Sequence, residues 1–183
     1  MNEKFLIASD IHGSAFWCEK LIDAYKKEAP DKLLLLGDIL YHGPRNPLPD
    51  GHDPKKVIAL LNPLQEKILA VRGNCDSEVD QMVLSFPMLA DYAMLYANER
   101  ALYATHGHLH GETNPPPLSA GENMLNGHTH VPCHRPMGEA FYVNCGSVAL
   151  PKENTPHSYL VFEGGKFIWK DLQTGEIFDV LSF

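Results

Sequence analysis

The amino-acid sequence predicts an α/β fold in which two β-sheets pack face to face with helices outside. Over the first half, short apolar runs alternate with segments of helical periodicity, which indicates strand–helix–strand units and a parallel sheet. Over the second half, short strand-like segments are separated by turn residues, which indicates a mostly β structure. No repeat or long linker divides the 183 residues, so we expect a single domain over residues 1–183.

Three buried strands are predicted in the first half, at residues 4–9, 32–36 and 67–71, because each is a short apolar run bounded by polar residues. Ser14 is a candidate N-cap for a helix that ends at Pro30-Asp31. A polar loop with three prolines follows at residues 41–53, and a loop of this length is usually functional or disordered. Helical patterns return at residues 55–61 and, briefly, at 79–84, where Asp76 is interpreted as a cap.

Six short strands are predicted in the second half, at residues 93–97, 100–105, 139–144, 158–163, 166–172 and 177–180. Asn98-Glu99 and Gly164-Gly165 predict tight hairpins between neighbouring strands. This series of hairpins is what indicates that the second sheet differs from the first.

The charge and the apolar pattern exclude several classes of partner. The formal net charge is −8, which argues against binding long nucleic acid, since that requires a basic face. No stretch reaches membrane-spanning length, and the N-terminus does not resemble an export signal. We therefore expect a cytoplasmic protein with reduced cysteines and no membrane partner.

Asp, Asn and His residues follow the apolar runs or close a Gly-His-Thr-His sequence. They are Asp10, His12, Asp38, Asn74, His106, His128 and His130. Open α/β sheets place their sites at the carboxyl ends of strands, so we expect these side chains to converge. Oxygen and imidazole donors brought together in this way suit a pair of catalytic divalent cations. The sequence therefore predicts a dinuclear metal hydrolase that acts on phosphate esters.

In this order along the chain, Asp10-x-His12, Gly37-Asp38, Gly73-Asn74, His106 and Gly127-His128-Thr129-His130 resemble the signature of the calcineurin-like metallophosphoesterase superfamily. The closest resemblance is to its small bacterial and archaeal phosphodiesterases, the YfcE type. The resemblance implies the metallophosphoesterase fold, a four-layer α/β/β/α sandwich with two mixed sheets. It also implies hydrolysis of the phosphodiester bonds of a small substrate by a metal-bridging hydroxide.

The resemblance further implies which residues bind which metal ion. Asp10, His12 and His130 would bind one ion, and Asn74, His106 and His128 the other, with Asp38 bridging them. The mixture of imidazole, carboxylate and amide oxygen suits transition metals better than Ca²⁺. Likeness to relatives makes Mn²⁺ the first choice of cofactor, with Fe²⁺, Zn²⁺ or Ni²⁺ as alternatives. A homo-oligomer is expected from base rates alone.

Catalytic roles are expected for Asp38, Asn74, Cys75 and His108, and a substrate contact for Arg45. Many members of the superfamily have His where this chain has Cys75, and a thiol is a weaker donor than a protonated imidazole. We therefore expect slow turnover that is best on diesters with good leaving groups. His108 either contacts substrate or the ligands, or is a solvated loop residue. Arg45 is either a phosphate clamp or a solvated loop arginine.

The alternative function is a catalytically weak scaffold with this fold that serves as a protein-binding subunit. A retromer subunit related to the superfamily provides the precedent. Loss of ligand residues would mark that role, and none of the seven candidate positions has lost its ligand type. The sequence therefore favours an enzyme.

Overall fold

The computed structural model describes residues 3–97 and 100–182, in which eleven strands form two sheets. The strands are β1 (Phe5–Ala8), β2 (Lys32–Leu35), β3 (Ile68–Ala70), β4 (Tyr92–Ala97), β5 (Arg100–Thr105), β6 (Asn123–Asn126), β7 (Cys133–Met137), β8 (Ala140–Asn144), β9 (Ser158–Glu163), β10 (Lys166–Asp171) and β11 (Ile177–Ser182). The helices are α1 (Ala15–Glu28), α2 (Pro54–Leu61) and α3 (Glu78–Gln81), with a 3₁₀ turn at Asn62–Leu64.

Both sheets are mixed, as predicted. The first has the order β11-β10-β9-β1-β2-β3, with β1, β2 and β3 parallel and the other strands antiparallel. The second has the order β4-β5-β6-β8-β7, with β5, β6 and β8 parallel. Each sheet therefore has a group of parallel strands whose carboxyl ends share one edge.

The hydrophobic core lies on both faces of the first sheet. In β1, Ile7 packs between the sheets with Leu125 and Val143, whereas Leu6 faces the cluster that contains Trp17 and Leu21 of α1. This is the pattern expected of a strand that is covered on both faces. Within the described residues the helices all precede β4, and apolar side chains of α1 and α2 pack on the outer face of the first sheet.

Helix α1 begins and ends as its sequence predicts. The Ser14 hydroxyl accepts a hydrogen bond from the amide of Trp17 at 3.2 Å, which makes it the N-cap. Ala29 adopts a left-handed conformation with φ 48°, and Pro30 follows. The helix therefore stops where the proline prevents its continuation.

Two strands were missed by the sequence patterns. β6 has only two apolar residues between Asn123 and Asn126, yet all four of its residues are buried. Its asparagines are accommodated because the Asn126 amide donates to the carbonyl of Thr105 at 3.0 Å, and Asn123 accepts from the amide of Phe141 at 2.9 Å. β7 is a half-exposed edge strand that contains Pro136, a residue tolerated only at such an edge.

The strands on either side of each predicted hairpin are antiparallel neighbours. Gly164 and Gly165, with φ 58° and 74°, connect β9 to β10, as that pair predicts. β4 pairs with β5 through Ala97 and Arg100, and the intervening Asn98-Glu99 lies outside the described residues. None of the helices in the described part of the chain is long and apolar enough to cross a membrane.

Candidate metal centre

The seven candidate ligands lie where the parallel strands of both sheets end. Asp10 and His12 follow β1, Asp38 follows β2 and Asn74 follows β3, all in the first sheet. His106 follows β5, and His128 and His130 follow β6, in the second sheet. The carboxyl edges of the two sheets therefore bring the whole predicted set together.

Most of these residues have an unusual backbone conformation. Positive φ values between 49° and 64° occur at Asp10, His12, Asp38, His128 and His130. For residues with a β-carbon this conformation costs roughly 1–2 kcal/mol each. Such strain persists only where the surrounding structure imposes it, and it concentrates at functional sites. The left-handed turns are therefore a structural sign of function that is independent of residue identity.

Close packing of glycine holds two of these turns together. A β-carbon on Gly127 would collide with the side chain of Ser9 and lie 2.7 Å from Oδ2 of Asp10. The amide of His128 also donates to that Asp10 oxygen at 3.0 Å. The absence of a side chain at Gly127 thus lets the turn after β6 lie directly on the turn after β1.

Backbone carbonyls orient three of the histidine rings. Each ring donates through Nδ1, and the pairs are His12 with Tyr41 at 2.8 Å, His106 with Leu36 at 2.7 Å, and His130 with Leu150. A carbonyl can only accept, so Nδ1 carries the proton and the Nε2 lone pair is available for coordination. This arrangement is the one by which proteins orient metal-binding histidines.

The first group of donors comprises Asp10, His12 and His130. Nε2 of His12 lies 3.4 Å from Nε2 of His130, and Oδ1 of Asp10 lies 3.2 Å and 3.5 Å from His130 Nε2 and His12 Nε2, respectively. Asp10 Oδ1 is buried and has no hydrogen-bond partner among the described residues. Two nitrogen lone pairs and an unpartnered carboxylate oxygen facing one point fit a bound cation.

The second group comprises Asn74, His106 and His128. Nε2 of His106 lies 3.1 Å from Oδ1 of Asn74 and 3.2 Å from Nδ1 of His128. Asp38 stands between the groups, with its Oδ2 atom 3.5 Å from His106 Nε2 and 3.7 Å from His12 Nε2. The chemistry of the donors therefore fits two cations that share the Asp38 carboxylate, although the ligand roles themselves stay a prediction.

The electrostatics of the centre favour ionised carboxylates. Burial opposes ionisation of Asp10 and Asp38, but neighbouring histidines outweigh it and lower the pKa of both groups. Burial also disfavours the charged form of His106, yet the carboxylates raise its pKa to about 9. Burial and the charge of His106 lower the pKa of His128 to about 4. Before a cation binds, His106 is therefore charged at neutral pH and His128 is neutral, and coordination by His106 would release its proton.

Asp76 is a structural residue whose role the sequence did not reveal. Instead of capping α3, its Oδ2 atom accepts hydrogen bonds from the amides of Asp38 at 2.8 Å and Gly73 at 2.7 Å. Its Oδ1 atom accepts from the amide of Ile39 at 2.9 Å. One buried carboxylate thereby joins the turns that carry Asp38 and Asn74. The capping box of α3 is formed instead by Ser77 and Asp80.

Cys75 and His108 both adjoin the centre. The backbone amide of Cys75 donates to Oδ1 of Asp38 at 2.8 Å, and the sulfur of Cys75 lies 3.2 Å from Nδ2 of Asn74. Burial and the Asp38 charge raise the pKa of the Cys75 thiol to about 12. The ring of His108 lies 5.4 Å from that of His106 and 6.2 Å from that of His128, and burial lowers its pKa. The structure therefore places His108 beside the ligands rather than out in solvent.

A cavity of about 350 Å³ opens over the centre. Asp38, Asn74 and Cys75 contribute to its lining, and so does Arg45, whose contact with substrate stays a prediction. Lys152 also lines it and was missed, because it follows β8 in a segment that has no motif. Two hydrogen bonds join that segment to His130 in the turn after β6, one from the Lys152 amide to the His130 carbonyl and one from His130 Nδ1 to the Leu150 carbonyl.

Comparisons with known proteins identify the family and the fold. Residues 4–166 match the calcineurin-like phosphoesterase superfamily domain. The chain is 46% identical over 156 residues to phosphodiesterase YfcE of Escherichia coli strain K12, with 85% of each chain covered. A solved structure of the E. coli phosphoesterase YfcE matches with a TM-score of 0.95 at 41% identity, covering 98% of both chains. Vacuolar Protein Sorting 29 from Cryptosporidium parvum shares the fold alone, with a TM-score of 0.63 at 15% identity over 100% of this chain and 99% of that one.

Proposed function

The chain belongs to the calcineurin-like phosphoesterase superfamily, and we propose that it is a phosphodiesterase that uses two divalent cations to hydrolyse a small substrate. One observation carries this proposal. Two groups of oxygen and nitrogen donors, drawn from both sheets, face each other across Asp38, with ring nitrogens oriented for coordination. The likeness to a phosphodiesterase at 46% identity supports the same reaction class.

Two cations at this site, when bound, would hold the phosphate oxygens of the substrate and supply a hydroxide from water at neutral pH. Both cations are proposed to be Mn²⁺, with Fe²⁺, Zn²⁺ or Ni²⁺ as alternatives, because the donors mix imidazole, carboxylate and amide oxygen. The protein holds these donors in place before substrate arrives, through Nδ1 bonds to backbone carbonyls and through the carboxylate of Asp76. Such preorganisation avoids reorganisation during the reaction.

Cys75 determines how the leaving group is assisted. Its sulfur lines the cavity beside Asn74, where a phosphate ester would meet the centre. A thiol donates a weak hydrogen bond and carries no positive charge, so it gives the departing oxygen little help. Hydrolysis should therefore be fastest when the leaving group is already a stable anion, as an activated aryl oxide is.

The proposed substrate is small rather than a long nucleic acid. The net charge of −8 gives the protein no excess of basic residues with which to follow a phosphate backbone. Two bound cations would nevertheless make the centre locally positive. The site thus favours one anionic group delivered into a cavity over a charged polymer lying on the surface.

The proposal is tested with an activated aryl phosphodiester and the purified chain loaded with Mn²⁺. We expect hydrolysis that EDTA abolishes and that Mn²⁺ restores. Asp38→Asn, which keeps the size of the side chain but removes its charge, should lower kcat by at least about 10²-fold and reduce the bound metal measured by elemental analysis. Asp23→Asn is the matched control, because Asp23 is an exposed carboxylate of α1.

The contrary outcome is equally clear. If a fully loaded protein hydrolyses no diester, or if hydrolysis persists in EDTA, the metal-dependent phosphodiesterase is the wrong assignment. Absence of hydrolysis would favour the protein-binding scaffold, and unchanged metal content in Asp38→Asn would further argue against a bridging role for that residue.

A further inference from the structure

The cavity over the centre is larger than the reacting phosphate needs. Its volume of about 350 Å³ lies in the range of pockets that hold whole small ligands. The candidate ligands form its floor, whereas two loops, residues 43–46 after β2 and the segment at Lys152, form its walls. The substituents of a diester would therefore lie against these loops.

The walls carry positive charge. Among the described residues that line the cavity, Asp38 is the one carboxylate, whereas Arg45 and Lys152 are both cationic. This local balance is opposite to the net charge of −8 for the whole chain. Within residues 3–97 and 100–182, neither side chain forms an ion pair with an acidic group of the protein.

The loop that carries Lys152 is fixed relative to the centre. The Lys152 amide donates to the carbonyl of the candidate ligand His130 at 3.2 Å. Its carbonyl accepts from the amide of Thr155 at 3.0 Å and from the Thr155 hydroxyl at 2.7 Å. Left-handed Glu153 and Asn154 complete this tight turn, with φ 56° and 58°. These bonds hold the backbone of Lys152 beside the floor of the cavity, and its exposed side chain extends from that fixed point.

The Arg45 loop is anchored in a similar way. The side chain of Asn46 donates to the carbonyl of His42 at 2.8 Å, which closes a turn around Arg45. Gly43 lets this turn approach the centre, since a β-carbon there would lie 3.0 Å from the sulfur of Cys75. Two loops with internal hydrogen bonds therefore present one cation each to the same cavity.

We propose that Arg45 and Lys152 form a subsite for a second anionic group, carried by one substituent of the phosphodiester. The inference rests on the proposed function, because it assumes that the centre receives the diester itself. A singly charged diester is satisfied by the centre alone, so two further unpaired cations above it fit an additional carboxylate or phosphate. A guanidinium and an ammonium each provide several donors for such a group. The preferred substrate class is then a diester with at least two negative charges.

The experiment compares three diesters that share a p-nitrophenyl leaving group. The other substituent is phenyl, 4-carboxyphenyl or a phenyl ring bearing a phosphate. We expect kcat/KM to be about tenfold higher for an ester with an anionic substituent than for the phenyl ester, a size that two partly screened ion pairs produce. The ester that gains more identifies the anion as carboxylate or phosphate. The ratio of the kcat/KM values should fall toward one in R45Q/K152Q. It should stay unchanged in Lys55→Gln, because Lys55 is an exposed lysine outside the cavity.

A binding measurement separates this inference from the proposed function. Calorimetry with Mn²⁺-loaded protein compares phenylphosphonate with 4-carboxyphenylphosphonate and its phosphorylated counterpart, none of which needs to react. Tighter binding of a probe that carries the additional carboxylate or phosphate, lost in R45Q/K152Q, supports the subsite even if no ester is hydrolysed. Equal binding of the three probes, or a preference that the double variant retains, overturns it. Raising the salt concentration should weaken the preference, since it is electrostatic.

Discussion

The substitution Asp76→Asn tests whether the turns of the centre are held by a single buried carboxylate. In the protein, Oδ2 of Asp76 accepts two backbone amides and Oδ1 accepts one. An asparagine side chain has only one oxygen. Its NH₂ group would take the place of the second carboxylate oxygen and face a backbone N–H, with which it cannot form a hydrogen bond. The best orientation keeps the bonds to Asp38 and Gly73 and leaves the Ile39 amide without an acceptor.

The magnitude follows from these three bonds. Each retained bond changes from a charged to a neutral acceptor, which costs about 1 kcal/mol, and the unpaired Ile39 amide costs about 1–3 kcal/mol. The neutral amide recovers part of this loss, because burial and the charge of Asp38 raise the pKa of Asp76 and make its ionisation costly. The net loss in the free energy of unfolding should be about 2–4 kcal/mol.

The assay combines denaturation of the chelated protein with calorimetric titration of Mn²⁺. Because the affected turns carry Asp38 and Asn74, we expect Mn²⁺ affinity to fall about 10- to 100-fold as well. Asp171→Asn is the matched control, since Oδ1 of Asp171 accepts the amides of Gln173 at 2.6 Å and Thr174 at 3.0 Å in a turn far along the first sheet. That variant should lose stability but keep its metal affinity. An Asp76→Asn protein that is destabilised yet binds Mn²⁺ normally would refute the positioning role.

Three further changes probe other parts of the structure. Cys75→His should raise kcat on diesters with poor leaving groups by about 10²-fold or more, and unchanged activity with metal still bound would contradict the proposed weakness of the thiol. Gly127→Ala should lower the free energy of unfolding by about 1–3 kcal/mol and weaken Mn²⁺ binding in calorimetry. Adding Ser9→Gly should restore part of the stability and of the Mn²⁺ affinity, because Ser9→Gly removes the side chain with which the new β-carbon collides. Although burial opposes ionisation of Glu28, its ion pair with Lys170 at 2.6 Å outweighs this and lowers its pKa. The ion pair of Glu28 therefore stabilises the fold above the ordinary glutamate pKa, and this stabilisation is lost as the pH falls through the lowered pKa. Glu28→Gln should then reduce the free energy of unfolding of chelated protein by about 1–2 kcal/mol at pH 7, and much less near pH 3.

The sequence predicted those elements that follow simple local rules. α1 has a capping serine, an apolar face and a proline after its end, and the glycine pair before Lys166 sets a hairpin. β6 escaped prediction because its four residues include two asparagines, and only tertiary hydrogen bonds make their burial acceptable. Local patterns contain no information about such partners.

The same division applies to the site. The predicted ligands were visible because polar residues at strand ends form an ordered series that resembles a known signature. Asp76 and Lys152 were not visible, because their roles depend on amides and cavities formed by distant segments.

The two sheets divide the donors in a way that links metal binding to the fold itself. The first sheet supplies Asp10 and His12 to one group, and the second supplies His130 to the same group. In the other group Asn74 comes from the first sheet, and its partner His106 from the second. Each cation would thus join the edges of both sheets, so its binding free energy would add to the apolar packing between them. Without cations, the buried carboxylates are balanced instead by a proton on His106, whose pKa they raise to about 9. The strained turns would then serve the loaded state, in which bound cations would replace that proton.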